Sequence, residues 1–238
     1  MIDQEMLAVG LLWYVAFLLS LTCHEAAHAL VAMWGGDRTA AEAGQVSLNP
    51  IPHMQRAPFG TIVVPILTYA LQGWMLGWAS APYDPYWQAR HPHRAAWMAL
   101  AGPVANLLLA LGAAIAIHAG ISMGDFEAPQ RLAFDGVVAA AAAGSTAEAL
   151  AKFLSILFSL NLLLMSFNLL PVPPLDGNTA IGLLMSESAA LKFYEFSRQP
   201  GFMMIGLLVA WNVFGQMFHP IFLAAVNALY FVRGLSYG

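Results

Sequence analysis

Thiols are nearly absent from this 238-residue chain: Cys23 is its one cysteine, which excludes an internal disulfide framework and any cysteine-built zinc site. A metal would have to be held by the seven histidines and the carboxylates. Charge is equally scarce, with Asp, Glu, Lys and Arg at 9% of residues against roughly 25% in soluble domains. Together with 60% hydrophobic residues, that scarcity predicts a polytopic membrane protein. A basic excess is missing too, since the formal net charge is -4, so nucleic acid is excluded as a partner. No repeat period, like-charge block or disordered linker interrupts the chain. The opening MIDQEML is acidic, and the apolar run behind it is too long for a signal peptide and has no small-residue cleavage site, so it reads as a retained span.

Apolar runs set the expected organisation. Residues 6–34 contain one charged side chain, Glu25, and at about 1.5 Å per residue exceed the roughly 30 Å of a bilayer core. Residues 35–58 are polar and broken by Pro50, Pro52 and Pro58, which predicts a loop or short irregular strands. Residues 59–79 form a second apolar run that either crosses or dips in. Residues 83–94 carry Arg90 and Arg94 within an aromatic belt, the pattern of a cytoplasmic interface. If residues 59–79 span, both termini are cytoplasmic; if they re-enter, the N-terminus lies outside. A third run covers residues 95–119. The acidic connection 120–148 reads as extracytoplasmic and part helical. A fourth run, 150–170, ends in Asn168-Leu169-Leu170-Pro171-Val172-Pro173-Pro174-Leu175-Asp176-Gly177. Its prolines must break the helix, which membrane depth tolerates only inside protein or beside water. The last apolar stretch, 202–232, is interrupted at His219-Pro220 and reads as one kinked helix or a span plus a shorter helix.

Within the first run stands His24-Glu25-Ala26-Ala27-His28. Residues four apart share one helix face, so both imidazoles can grip one zinc while Glu25 stays near a bound water, the arrangement of a metalloprotease. A random chain with seven His and seven Glu would contain this pattern with probability roughly 0.006, so chance is a poor account of it. Three ionisable groups in five residues are also costly at membrane depth. Catalytic zinc usually takes three protein ligands, and Val31 and Trp34 stand where a metzincin would place its glycine and third histidine. The remaining acids lie in polar connections or near segment ends, except Asp176 at the proline break. A carboxylate there needs a compensating cation, and zinc is one; the alternative is a helix N-cap for residues 177–186.

HEAAHA and NLLPVPPLDG resemble the site-2 protease family of intramembrane zinc metalloproteases, with AGPVAN before the third run similar to that family's intervening span. SLNPIPHM, FGTIVVPIL and LGWASAPYDP resemble its compact bacterial and archaeal members. The likeness covers roughly residues 10–180. It implies that His24, His28 and Asp176 bind Zn2+, that Glu25 is the general base, and that Asn168 positions the substrate or polarises its carbonyl. Zinc would lower the pKa of its water toward about 7 while Glu25 carries the proton to the leaving amide nitrogen. The expected fold is all-α: a polytopic transmembrane bundle of five or six membrane segments with a broken helix at the active site. One membrane-embedded peptidase domain would cover residues 1–238, its metal core about 6–186 and its C-terminal helices about 201–233. The expected activity is regulated intramembrane proteolysis of transmembrane protein substrates in the lipid bilayer of the cell membrane. Residues 46–49 are expected to be extended and to offer an edge for an unwound substrate.

Other polar residues have plainer readings. Asn106 and Asn168 serve equally well as ordinary interhelical hydrogen-bonders. His53 would gate zinc or substrate, or hold a turn, and the flanking prolines favour the turn. Cys23 sits about 100° around the helix from His24 and reads as a buried thiol. The rival class is an ion or proton transporter with buried His, Glu and Asp, which has no need for Glu beside His with a second His four along.

Overall fold

The computed structural model describes residues 4–144, 146–199 and 201–238; Asp3, among the acids set aside above, lies outside them. Helix α1 (Gln4–Trp34) runs through the whole first apolar stretch. It stops at Gly35-Gly36, where Gly36 takes a φ of 100° and the Asp37 N–H turns back to the Ala32 carbonyl at 2.9 Å. That left-handed closure suits glycine and satisfies carbonyls the helix end leaves free.

The polar connection is short helices rather than strands: α2 (Thr39–Glu42) and α3 (Pro50–Arg56). Asn49 caps α3 by accepting from the Ile51 N–H at 3.0 Å, and Pro50 fits its first turn. Residues 46–49 are therefore bent, not extended. The Ser47 hydroxyl accepts from the Asn49 N–H and the Ser47 carbonyl faces His53 Nε2, both at 3.0 Å, so no free strand edge is offered there.

Residues 59–79 resolve as a descent and a return. A π-helical turn (Phe59–Val63) leads into α4 (Val64–Gln72), fourteen residues or about 21 Å, which is short of a full crossing. The Tyr14 hydroxyl donates to the Thr61 carbonyl at 3.3 Å and the Tyr69 hydroxyl to the Met6 carbonyl at 2.8 Å, so this helix runs antiparallel to α1 toward its start. After Gly73 the chain comes back without regular structure. Trp78 N–H bonds Gly60 O at 3.1 Å, and a Cβ on Gly60 or Gly77 would overlap the facing backbone. The return ends where Asp84 N–H meets Asp37 Oδ2 at 2.8 Å. The end of α1 and the start of the next long helix thus share one face.

That next helix follows α5 (Pro85–Arg90) and is α6 (Pro92–Met123), antiparallel to α1. Trp87 Nε1 and Arg94 both donate to the Gly35 carbonyl, at 3.0 and 3.1 Å. The acidic connection is a small antiparallel hairpin, β1 (Phe126–Glu127) with β2 (Ala139–Ala140), and helix resumes only at α7 (Thr146–Asn168). Val137 and Val138 N–H groups bond the Ser155 hydroxyl at 3.1 and 3.2 Å, so local side-chain partners replace helix formation there. The proline break delivers α8 (Asp176–Ala180), a 3-10 turn (Ile181–Leu184) and α9 (Glu187–Ser197). Finally α10 (Phe202–Tyr230) is one helix straight through Pro220.

Among the described residues four helices, α1, α6, α7 and α10, are long and apolar enough to cross a membrane, and Phe59–Gln72 is a fifth, shorter apolar helix. The all-α polytopic bundle holds, and the four long helices with the shorter one make five apolar segments, within the five or six expected. The core lies among α1, α6 and α7, closed by α10 near its end: Trp13, Phe17, Ile117, Ile156 and Val226 are buried, and Tyr230 donates to the Val137 carbonyl at 2.7 Å. Of the four long helices α7 is the most enclosed and α10 the most exposed.

Candidate metal centre and active site

The helix motif sits where α1 faces α6 and α8. His24 and His28, one turn apart and both buried, bring their Nε2 atoms to 3.0 Å of each other. Asp176, the first residue of α8, places Oδ2 3.1 Å from His24 Nε2 and 3.3 Å from His28 Nε2. Asp176 makes no capping bond, so the N-cap reading falls. A proline break makes this possible, since α7 ends at Asn168 and the turn through residues 169–175 swings the acid back against α1 and α6.

The far side of each imidazole is tied to α6. His28 Nδ1 lies 2.7 Å from the Met98 carbonyl and His24 Nδ1 lies 2.6 Å from Asn106 Oδ1. A carbonyl only accepts, so Nδ1 of His28 carries a proton, and the neutral ring then turns its Nε2 lone pair toward the cluster. His24 is in the same state opposite an amide oxygen. With both imidazoles neutral, three acceptor atoms face one another at 3.0–3.3 Å, and buried Asp176 Oδ2 has no partner outside the two histidines. Acceptors so arranged repel unless a cation draws them together. Around tetrahedral zinc, with bonds near 2.0–2.2 Å, ligand atoms are spaced by about 3.4 Å. The triangle fits such an ion, and its His-His-carboxylate donor set suits zinc. Gly102 faces the triangle from α6, where any Cβ would overlap both imidazoles, so the space beside the nitrogens exists only because residue 102 has no side chain.

A family model for peptidase family M50 matches residues 12–212. The chain belongs to peptidase family M50, the site-2 protease family. This M50 chain is 34% identical over 182 residues to YwhC of Bacillus subtilis, named as a zinc metalloprotease; the match covers 76% of this chain and 72% of the relative. It is 28% identical over 173 residues to Rip2 of Mycolicibacterium smegmatis, also named a zinc metalloprotease, covering 73% of this chain and 57% of that one. Rip2 of Mycobacterium tuberculosis is 33% identical over 165 residues, 69% of this chain and 54% of the relative. No solved structure matches. The M50 chain is thus a zinc metalloprotease and a membrane protein, which sets aside the transporter.

Glu25 lies beside His24, buried, and free of hydrogen bonds and ion pairs among the described residues. Asn168 stands at the last position of α7, where its Nδ2 donates to the Leu164 carbonyl at 3.0 Å; it makes no bond to the triangle. His53 is a turn-holder, its Nε2 3.0 Å from the Ser47 carbonyl, and Cys23 is half-buried outside the cluster. Sequence reading left Asn106 as a generic interhelical bond, took Gly102 only as part of AGPVAN, and missed Met98. The signal was available in their spacing: residues 98, 102 and 106 form one stripe of α6, as 24 and 28 do of α1.

Proposed function

We propose that this protein is an intramembrane zinc endopeptidase of the multi-pass cell-membrane type, hydrolysing peptide bonds within or near transmembrane segments of other membrane proteins. Residues 1–238 act as one peptidase domain, with the metal core in about residues 6–186 and the C-terminal helices at about 201–233. The observation that carries this reading is the convergence of His24, His28 and Asp176 at 3.0–3.3 Å inside a bundle of apolar helices. A soluble protease has no use for that surrounding.

In the mechanism, His24 Nε2, His28 Nε2 and an Asp176 oxygen would hold a zinc ion. Bound zinc supplies an acidic water and a Lewis acid for the scissile carbonyl. Glu25, whose carboxylate makes no hydrogen bond or ion pair among the described residues, would serve as general base for the attacking water and return the proton to the leaving amide nitrogen. Neither imidazole would act as a base, because Nδ1 of each is engaged with α6 and Nε2 would be given to the metal. Asn168, at the rim of the helix break, has its amide N–H2 anchored one turn back and its oxygen free to orient a substrate N–H. Substrate must present an unwound peptide bond, since helical N–H and C=O groups are already paired.

The decisive variant is Glu25→Gln. It should purify with wild-type zinc and cleave a model membrane substrate about 10²–10⁴-fold more slowly, the range general-base removal costs. Retained turnover would remove Glu25 from the chemistry. Chelation should inactivate the wild type and added zinc restore it.

A further inference from the structure

We infer that Asn161 on α7 is a positioning residue that, through Asn106 on α6 and braced by Ser20 on α1, dictates which nitrogen of His24 is presented to the metal. This rests on the reading of His24 as a zinc ligand. Two backbone carbonyls start the chain of orientation, because they can only accept. The Ala16 carbonyl takes the Ser20 hydroxyl proton at 2.6 Å, so the Ser20 oxygen has only lone pairs left for Asn161 Nδ2 at 2.8 Å. The Leu157 carbonyl takes the other Nδ2 proton of Asn161, also at 2.8 Å.

With both amide protons committed, Asn161 must turn Oδ1 toward α6, where it accepts from Asn106 Nδ2 at 2.8 Å. The second Asn106 amide proton points to the Ser20 carbonyl at 3.4 Å. Only Asn106 Oδ1 remains for His24 Nδ1, 2.6 Å away. An amide oxygen there fixes the proton on Nδ1 and the lone pair on Nε2. Reversing either amide would set oxygen against oxygen, and water cannot repair the mismatch, since Ser20, Asn106 and Asn161 are all fully buried. The relay also binds α7, whose far end leads to Asp176, to the helix that carries the histidines. His28 is oriented independently, by the Met98 carbonyl itself.

The test uses the full chain in detergent with zinc affinity by chelator competition, the d–d spectrum of the cobalt-loaded protein and thermal unfolding of the metal-free form. Asn106→Leu should bind zinc about 10–100-fold more weakly, the usual loss when a ligand's supporting partner is removed. Asn161→Leu should bind about tenfold more weakly with shifted cobalt bands, although residue 161 makes no contact with His24. The double variant should be no weaker than Asn106→Leu, because one relay is cut twice. Wild-type affinity and spectrum in a folded Asn161→Leu, or additive losses in the double variant, would overturn the inference. Should Asn161→Leu fail to fold, Ser20→Ala keeps the Leu157 anchor and reads the same relay: weakened binding with shifted bands supports it, and an unchanged site refutes it. His24→Ala separates the two readings. If it holds zinc as tightly as wild type, the ligand assignment falls and the relay with it; if it loses zinc while Asn161→Leu keeps it, the relay alone falls.

Discussion

Gly102 is defined by what stands opposite it. Its α-hydrogens face the two ring nitrogens, and the smallest side chain would intrude on both imidazoles. Gly102→Ala should therefore weaken zinc binding by about tenfold or more, as overpacking costs of ~1–3 kcal/mol imply, while leaving the helix intact. Chelator competition reads this directly, and an unaltered affinity would mean the ion does not sit beside α6. Asp176→Ala should lose zinc as fully as His24→Ala; unchanged zinc by elemental analysis would demote Asp176 from the ligand set. At this scale the sequence was legible where chemistry is written in spacing. HEAAH declared itself, and Asp176 stood out as an acid between apolar runs. Asn106 and Asn161 did not, because an asparagine in an apolar helix looks the same whichever neighbour it meets, and His24 is 82 residues from Asn106.

Elements were legible where composition and length agree, as for α1, α6 and α7, and illegible where they part. Residues 59–79 are apolar throughout, yet only Phe59–Gln72 is helical and the chain then turns back. What decides this is tertiary: backbone contact at Gly60 and Gly77, and a tether at Asp37. The same limit hid α3, whose prolines read as breakers although Pro50 follows a capping Asn49. Asp37 is buried, which pushes its pKa up, but hydrogen bonds from the Thr39 hydroxyl and N–H and from the Asp84 N–H outweigh that and hold the carboxyl below its ordinary value. A depressed folded-state pKa contributes stability that is present above the unfolded value, about 3.9, and is lost as pH falls through the folded one. Asp37→Asn should thus destabilise the protein at pH 7 by roughly 1–3 kcal/mol, the cost of losing a charged acceptor from buried donors. Thermal unfolding should show the gap to wild type closing as pH falls below the ordinary carboxylate range and through the lowered folded-state pKa. A gap that persists at low pH would mean the carboxylate is not what holds the loop.

The whole molecule has two unlike ends. Gly35, Trp87, Arg94, α8 and α9 gather on one face, tied by His93 to the Met185 carbonyl at 2.9 Å and by Arg198 to Tyr83 at 3.2 Å. The hairpin, Tyr230 and Tyr237 gather on the other, where Tyr237 donates to the Pro129 carbonyl at 2.9 Å. With four long helices, the starts of α1 and the end of α10 both fall on the hairpin face. Arg38, Arg90, Arg94, Lys192 and Arg198 mark the first face and Arg131, Lys152 and Arg233 the second, and the positive-inside rule predicts from this that the first face is cytoplasmic. Single cysteines in a Cys23→Ser background should then label from the cytoplasmic side at residues 90 and 187 and from outside at 127 and 236; the reverse pattern would invert the orientation and leave the site unchanged. Charge counting alone could not decide this, because it needed the knowledge that residues 35–91 begin and end on one side.

The central claim is that two histidines of α1 and an aspartate beyond the break in α7 share one zinc. Anomalous diffraction from the zinc-loaded protein, collected on either side of the zinc edge, tests it most directly. A single peak about 2.0–2.2 Å from His24 Nε2, His28 Nε2 and an Asp176 carboxylate oxygen is the expected result. A peak elsewhere in an active crystal, or one bound by the histidines with Asp176 turned away, would contradict the account.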